Sequence, residues 1–167
     1  MKSVTDQQTL LDLEFDKILD WCAQYALSES TKSRILKLVP ISNYEILEEQ
    51  LNQIEELKNI KEGEKGFPVL EFENLESELR LLKIKNAVVP LSGILNIHQA
   101  SYLVNQILSF FEHSIGSYPC LEDVLKESYQ TLDIIAPIEK VIDKTGQIKD
   151  TASPELKSIR DSIRSTQ

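Results

Sequence analysis

Leucine and isoleucine recur every third or fourth residue along most of this chain, and that period constrains its fold more than any other feature. The two supply 23 and 18 of the 167 residues, against five glycines and six prolines. An apolar period near 3.6 with few turn-formers predicts long amphipathic helices, not many short strands. Residues 9–26 carry Leu10, Leu13, Ile18, Leu19, Cys22 and Tyr25 on that period. A second helix is expected from Ser28 to Val39, stopped by Pro40. Ser42-Asn43-Tyr44-Glu45 has the pattern of a capping box, with the Ser42 hydroxyl and Glu45 carboxylate exchanging bonds with each other's backbone amides. The stripe that follows holds Ile46, Leu47, Leu51, Ile54, Leu57 and Ile60, and Gly63 suits a left-handed cap at its end.

Beyond Gly63 the same reasoning gives a loop to Pro68 and a short helix opened by Asn74 and marked by Leu75, Leu79 and Leu82. A long helix capped by Ser92 should follow, then another over residues 121–132. Pro137 opens a short stretch. Val141 to Ile148 reads as a small β-hairpin near residues 139–150, turning at Gly146. Ser153-Pro154-Glu155 is a strong helix start: a hydroxyl cap, a proline in the first position and an acid in the first turn. The expected class is all-α, a bundle-like core over residues 1–152, followed by the start of a further helix over residues 153–167. That helix shows no Gly or Pro at its end. A fragment cut inside a longer helix and a frayed polar terminus both fit.

Several function classes are excluded. No apolar run approaches the roughly 18–20 residues that span a bilayer, and the start, Met1 to Gln8, lacks the apolar core of a secretory signal. Cys22 and Cys120 stand 98 positions apart with no Cys-x-x-Cys pair, which argues for two reduced thiols. A cytoplasmic location is expected. No metal site is expected, because His98 and His113 have no ligand partner at helical spacing. His98 has no carboxylate three or four positions away on its helix. His113 suits the negative end of the long helix. Gly63-Glu64-Lys65-Gly66 lacks the Ser or Thr of a phosphate loop and reads as surface. Glu55 and Lys58 read as a solvated ion pair. No catalytic residue and no cofactor site emerge.

The formal charge is −9, so the chain as a whole should be repelled by nucleic-acid phosphate. The charge is uneven. Residues 91–136 hold a net −4, whereas residues 137–167 hold six cations against five anions. Lys149, Lys157, Arg160 and Arg164 gather there, with the two arginines one helical turn apart. They are either an exposed helix face or an arm that leaves an acidic body toward a polyanion.

Two stretches carry a resemblance. Leu13-Glu14-Phe15-Asp16-Lys17-Ile18-Leu19, with Tyr25-Ala26 and Ser28, resembles the opening of the MutS-two branch of the MutS family, which lacks the mismatch-reading domains. Ile142-Asp143, Gly146-Gln147-Ile148-Lys149-Asp150 and Ala152-Ser153-Pro154-Glu155-Leu156-Lys157 with Ile159-Arg160 resemble its hairpin and the helix leading to its clamp arms. The matches bracket residues 13–164, and the middle is generic helix. The resemblance implies a non-catalytic piece similar to the core and lever domain of MutS. Pro154, Leu156, Lys157, Ile159, Arg160 and Arg164 would form the lever root, with Gly146, Ser153 and Pro154 as its structural motif.

The resemblance further implies a longer cytosolic bacterial homodimer with an ATPase domain, binding ATP and Mg, and often a nuclease domain. Such a protein acts on branched DNA, suppresses recombination or rescues ribosomes. None of the ATPase or nuclease motifs is in this sequence. Phe110-Phe111-Glu112 matches the letters of the MutS wedge, but Phe111 belongs to an apolar helical stripe and a wedge must be exposed. A helical protein-interaction module docking through Ile46, Leu47, Ile54 and Leu57 is the rival reading.

Overall fold

The computed structural model describes residues 5–63 and 66–166. Residues 1–4, Glu64, Lys65 and Gln167 lie outside the described residues, so part of the polar start and the middle of the Gly63–Gly66 loop are read from sequence alone. The helices are α1 (Gln7–Asp12), α2 (Phe15–Gln24), α3 (Glu29–Ile35), α4 (Tyr44–Glu62), α5 (Glu76–Leu82), α6 (Leu91–Glu112), α7 (Pro119–Leu125), α8 (Leu132–Val141) and α9 (Pro154–Thr166). The class is all-α. The chain forms two compact units: Met1–Asn74 with Ile107–Ser128, and Leu75–Gln106 with Tyr129–Gln167.

In the first unit the helix expected over residues 9–26 is two helices. Glu14 takes the left-handed conformation at φ 55°. The Leu13 and Glu14 amides turn back onto the carbonyls of Thr9 and Leu11 at 3.0 and 2.9 Å, and the Glu14 carbonyl then starts α2 by accepting the Lys17 amide at 3.1 Å. The break is two residues long, Leu13 and Glu14. Ser28 caps α3 as expected, its hydroxyl accepting the Thr31 amide at 3.2 Å. α3 ends at Ile35, four residues short of Val39, and the Lys37 and Leu38 amides turn back onto the Arg34 and Ile35 carbonyls at 3.2 and 3.0 Å.

α4 is capped by Asn43, not Ser42. The Asn43 side chain accepts the amides of Glu45 and Ile46 at 2.9 and 3.3 Å, so the Ser42–Glu45 box does not form. At the far end Gly63 has φ −76°, an ordinary extended cap and not the left-handed one expected. α7 is shorter than read and begins at Pro119. Its Cys120 and Leu121 amides are met by the Glu56 carboxylate of α4 at 3.0 and 2.8 Å. Phe67 meets the edges of Phe110 and Phe111 at centroid distances of 5.1 and 6.4 Å. Phe111 is buried, as are Leu19, Ala23 and Ile60. The wedge-like triplet is therefore partly core.

In the second unit α5 starts at Glu76 with Leu75 at its N-cap position, one residue beyond the Asn74 expected to open it. α6 begins at Leu91, which puts Ser92 inside the first turn and not at the cap. α6 belongs to this unit as far as Gln106 and to the first from Ile107. Thr131 is fixed by Asn105, whose side-chain oxygen accepts the Thr131 amide at 2.7 Å. α8 runs through Pro137, where the sequence reading had a stretch open. The proline lacks an amide, so the helix forgoes one bond there. Leu103, Ile135 and Ile142 are buried. The hairpin reduces to one antiparallel bridge, Ile142 to Ile148. No helix among the described residues is long and apolar enough to cross a membrane.

Candidate functional site

The basic cluster singled out by the sequence lies at the root of α9, within the second unit. The preceding turn is organised by Asp143. Its carboxylate accepts the Thr145 hydroxyl at 2.7 Å and the amides of Thr145 and Gln147 at 2.8 and 3.0 Å. The Thr145 hydroxyl, followed by the Gln147 amide, holds the Asp143 carboxyl below the usual aspartate range. Gly146 sits at φ 79° in this turn. A β-carbon there would lie 3.3 Å from Leu95 Cδ1, so the backbone approaches α6 closely. The Lys149 amide returns to the Val141 carbonyl at 2.9 Å.

A 3-10 turn, Asp150–Ala152, then leads to α9. The Ser153 hydroxyl accepts the Leu156 amide at 3.1 Å, and Pro154 takes the first helical position, as the sequence predicts. Asp150 receives both arginines of the cluster: Arg160 pairs with one carboxylate oxygen, and Arg164 donates to the other at 2.7 Å. Arg160 also donates to the Ile148 carbonyl at 3.0 Å. Arg160, then Arg164, pulls the Asp150 carboxyl below the usual range. Lys149 donates its ammonium to the Glu139 carbonyl at 2.6 Å. Lys157 is exposed and makes no ion pair among the described residues. Three of the four cations thus have partners in the fold. Leu156 is half-buried, while Ile159 and Ile163 are 57% and 55% exposed.

Asp150 was the missed member of this cluster. It lies ten and fourteen positions before its arginines, outside any helical spacing that would flag it. His98 likewise finds a partner beyond local reach: its Nε2 lies 3.2 Å from the Glu139 carboxylate of α8. His113 contacts the Ser109 carbonyl at 2.6 Å, in keeping with a place at the end of α6. Glu55 and Lys58 pair at 3.9 Å. Among the described residues no group of three or more His, Cys, Asp or Glu side chains is arranged to hold a metal. The arrangement anchors α9 through Asp150, which pairs with both arginines.

The two units differ in charge. The first holds nine lysines and arginines against nineteen aspartates and glutamates, net −10, and the second nine against eight, net +1. The first unit also contains two apolar clefts, of 610 and 380 Å³, which share Leu27 and Leu70 in their walls. The sequence reading missed them. The alternation of Val69-Leu70-Glu71-Phe72-Glu73 is the signal that could have marked one wall.

No family model matches the chain, and no solved structure matches it. It is 31% identical over 165 residues to the protein named Endonuclease MutS2 of Aquifex aeolicus, across 96% of this chain and 21% of that protein. With the Endonuclease MutS2 of Caldicellulosiruptor saccharolyticus it shares 31% identity over 159 residues, across 95% of this chain and 20% of the other. The value is 32% over 170 residues for the same-named protein of Carboxydothermus hydrogenoformans, again 95% and 20%. The chain therefore spans about one fifth of the length of these curated relatives. Over nearly all of its own length, it is similar to proteins named Endonuclease MutS2.

Proposed function

We propose that this chain is the non-catalytic N-terminal core region of a MutS-two-like protein. α9 is the first part of a lever helix that carries nucleotide-driven motion from an ATPase domain to a clamp. The observation that carries this reading is the similarity to the Endonuclease MutS2 proteins, which takes in 95–96% of this chain and only about one fifth of each relative. The anchoring of α9 by Asp150 suits such a role, because a helix that transmits force needs a fixed root. On this reading Lys149, Lys157, Arg160 and Arg164 stand nearest the nucleic acid or lever. The longer protein is a cytoplasmic homodimer that binds ATP and Mg elsewhere, acts on branched DNA or the ribosome, and has any nuclease activity outside this region.

The chain on its own should neither hydrolyse ATP nor bind DNA tightly. With a four-way junction at physiological salt, we expect a Kd no better than the micromolar range of non-specific contacts. Submicromolar, salt-sensitive binding overturns the reading, and so does ATP turnover abolished by a point change within the chain. A second reading, a helical protein-interaction module, is favoured by the exposure of Ile46, Leu47 and Ile54 on α4. A coding sequence that continues into a Walker-type loop decides for the first reading.

A further inference from the structure

Lys157, Arg160 and Arg164 stand at i, i+3 and i+7 on α9 and form one cationic ridge, about 10 Å long at the helical rise. Lys157 is exposed and makes no ion pair among the described residues. The two arginines share Asp150, one on each carboxylate oxygen. Arg164 Nη1 also lies 3.9 Å from the Asp161 carboxylate. The side chains of Asp150, Arg160 and Arg164 are 38%, 37% and 66% exposed, so the contact is open to solvent. A guanidinium grips a carboxylate and a phosphate with the same planar fork. Asp150 therefore engages donors that a phosphate arriving from solvent would use. The first unit, at net −10, repels such a ligand, whereas the second, at net +1, does not.

We infer that Asp150 is an internal stand-in for phosphate: it masks Arg160 and Arg164, and a run of phosphate groups that takes the arginines must release the root of α9. Binding and anchoring then oppose each other. By linkage, each weakens the other by the same factor. Lys157, already unpaired, makes the first contact. The inference rests on the reading of this cluster as the part nearest the nucleic acid, and names how that contact is held in check.

The test uses the whole chain, a fluorescent four-way DNA junction and, in parallel, inorganic polyphosphate, in about 50 mM salt. We expect Asp150→Asn to tighten binding about tenfold and to steepen its salt dependence by about two counter-ions, one for each arginine released. The gain should vanish in Asp150→Asn with Arg160→Gln and Arg164→Gln, although α9 is equally unanchored there. Asp133→Asn removes the same charge from an exposed position on α8 and should change affinity less than about twofold. In the unaltered chain, saturating junction should lower amide protection along α9. If Asp150→Asn lowers the helical circular dichroism, that exchange measurement carries the test. A gain with both ligands is the expected result, since the ridge meets phosphates and not bases; a gain with polyphosphate alone makes free polyphosphate the occupant and still supports the exchange. Unchanged affinity in Asp150→Asn, a gain that survives loss of both arginines, an equal gain in Asp133→Asn, or α9 protection unchanged by saturating junction overturns the proposal. None of these outcomes bears on whether the coding sequence continues into a Walker-type loop, which decides the MutS-two reading.

Discussion

Gly146 meets two demands that no other residue type satisfies together. Its φ of 79° lies where an L side chain strains the backbone, and its missing β-carbon leaves room for Leu95. Gly146→Ala should cost about 1–2 kcal/mol from the backbone alone, seen as a lowered midpoint in thermal or urea unfolding. The need for glycine at this turn was legible, because a glycine between two β-favouring runs marks a turn. The cap of α4 was legible only to within one residue. Ser42 and Asn43 both have capping side chains, and the backbone geometry that selects Asn43 is absent from the sequence. Glu14 gave no signal at all, since a left-handed glutamate resembles any other glutamate on a helical period.

Among elements, α7 and α9 show how far a partner can lie from what it holds. α7 is seven residues long, too short to persist alone, and Glu56 satisfies two of its first amides from another helix. Glu56→Ala should cost roughly 1 kcal/mol, the scale of a lost N-cap, and should speed amide exchange at Cys120 and Leu121 first. α9 is held by Asp150, so Asp150→Asn should speed exchange along α9 while leaving the first unit unchanged. The same pair fixes a pH dependence. The Asp150 carboxyl titrates lower in the folded chain than in the unfolded one, so the folded state binds fewer protons. Its contribution is present in full above the ordinary aspartate range and is lost as pH falls through the lowered value. The protection factors along α9, exchange corrected for its intrinsic pH dependence, should therefore stay constant from neutrality down to that range and fall below it; a fall already near pH 6 contradicts the assignment. Local signals such as Ser28 and Ser153-Pro154 were readable because cap and helix adjoin. Glu56, Asp150 and the His98–Glu139 contact were not, because each joins positions that only the tertiary fold brings together.

At the scale of the whole molecule the charge resolves by unit. The −9 of the chain belongs to the first unit, and the second is nearly neutral. Linear segments blurred that boundary, since each unit is built from two stretches of chain. Met1–Asn74 alone lacks α7 and the Phe110 and Phe111 rings that meet Phe67. That piece should show weak near-ultraviolet dichroism and rapid proteolysis, whereas residues 1–128 should protect Ile60. Equal protection in both pieces contradicts this account.

The discontinuous first unit also has a consequence for synthesis. Once Asn74 has been added, 54 further residues must follow before the unit's last residue, Ser128, exists. At about 5–20 residues per second this takes roughly 3–11 s, far longer than the microseconds in which helices form. During that interval α4 is present without the partner that covers it, and the nascent chain carries unsheltered isoleucine and phenylalanine. A slow codon between Leu75 and Ser128 lengthens the exposure. Translation tempo, and the chaperones that attend it, thus bear on one stretch of this message more than on any other.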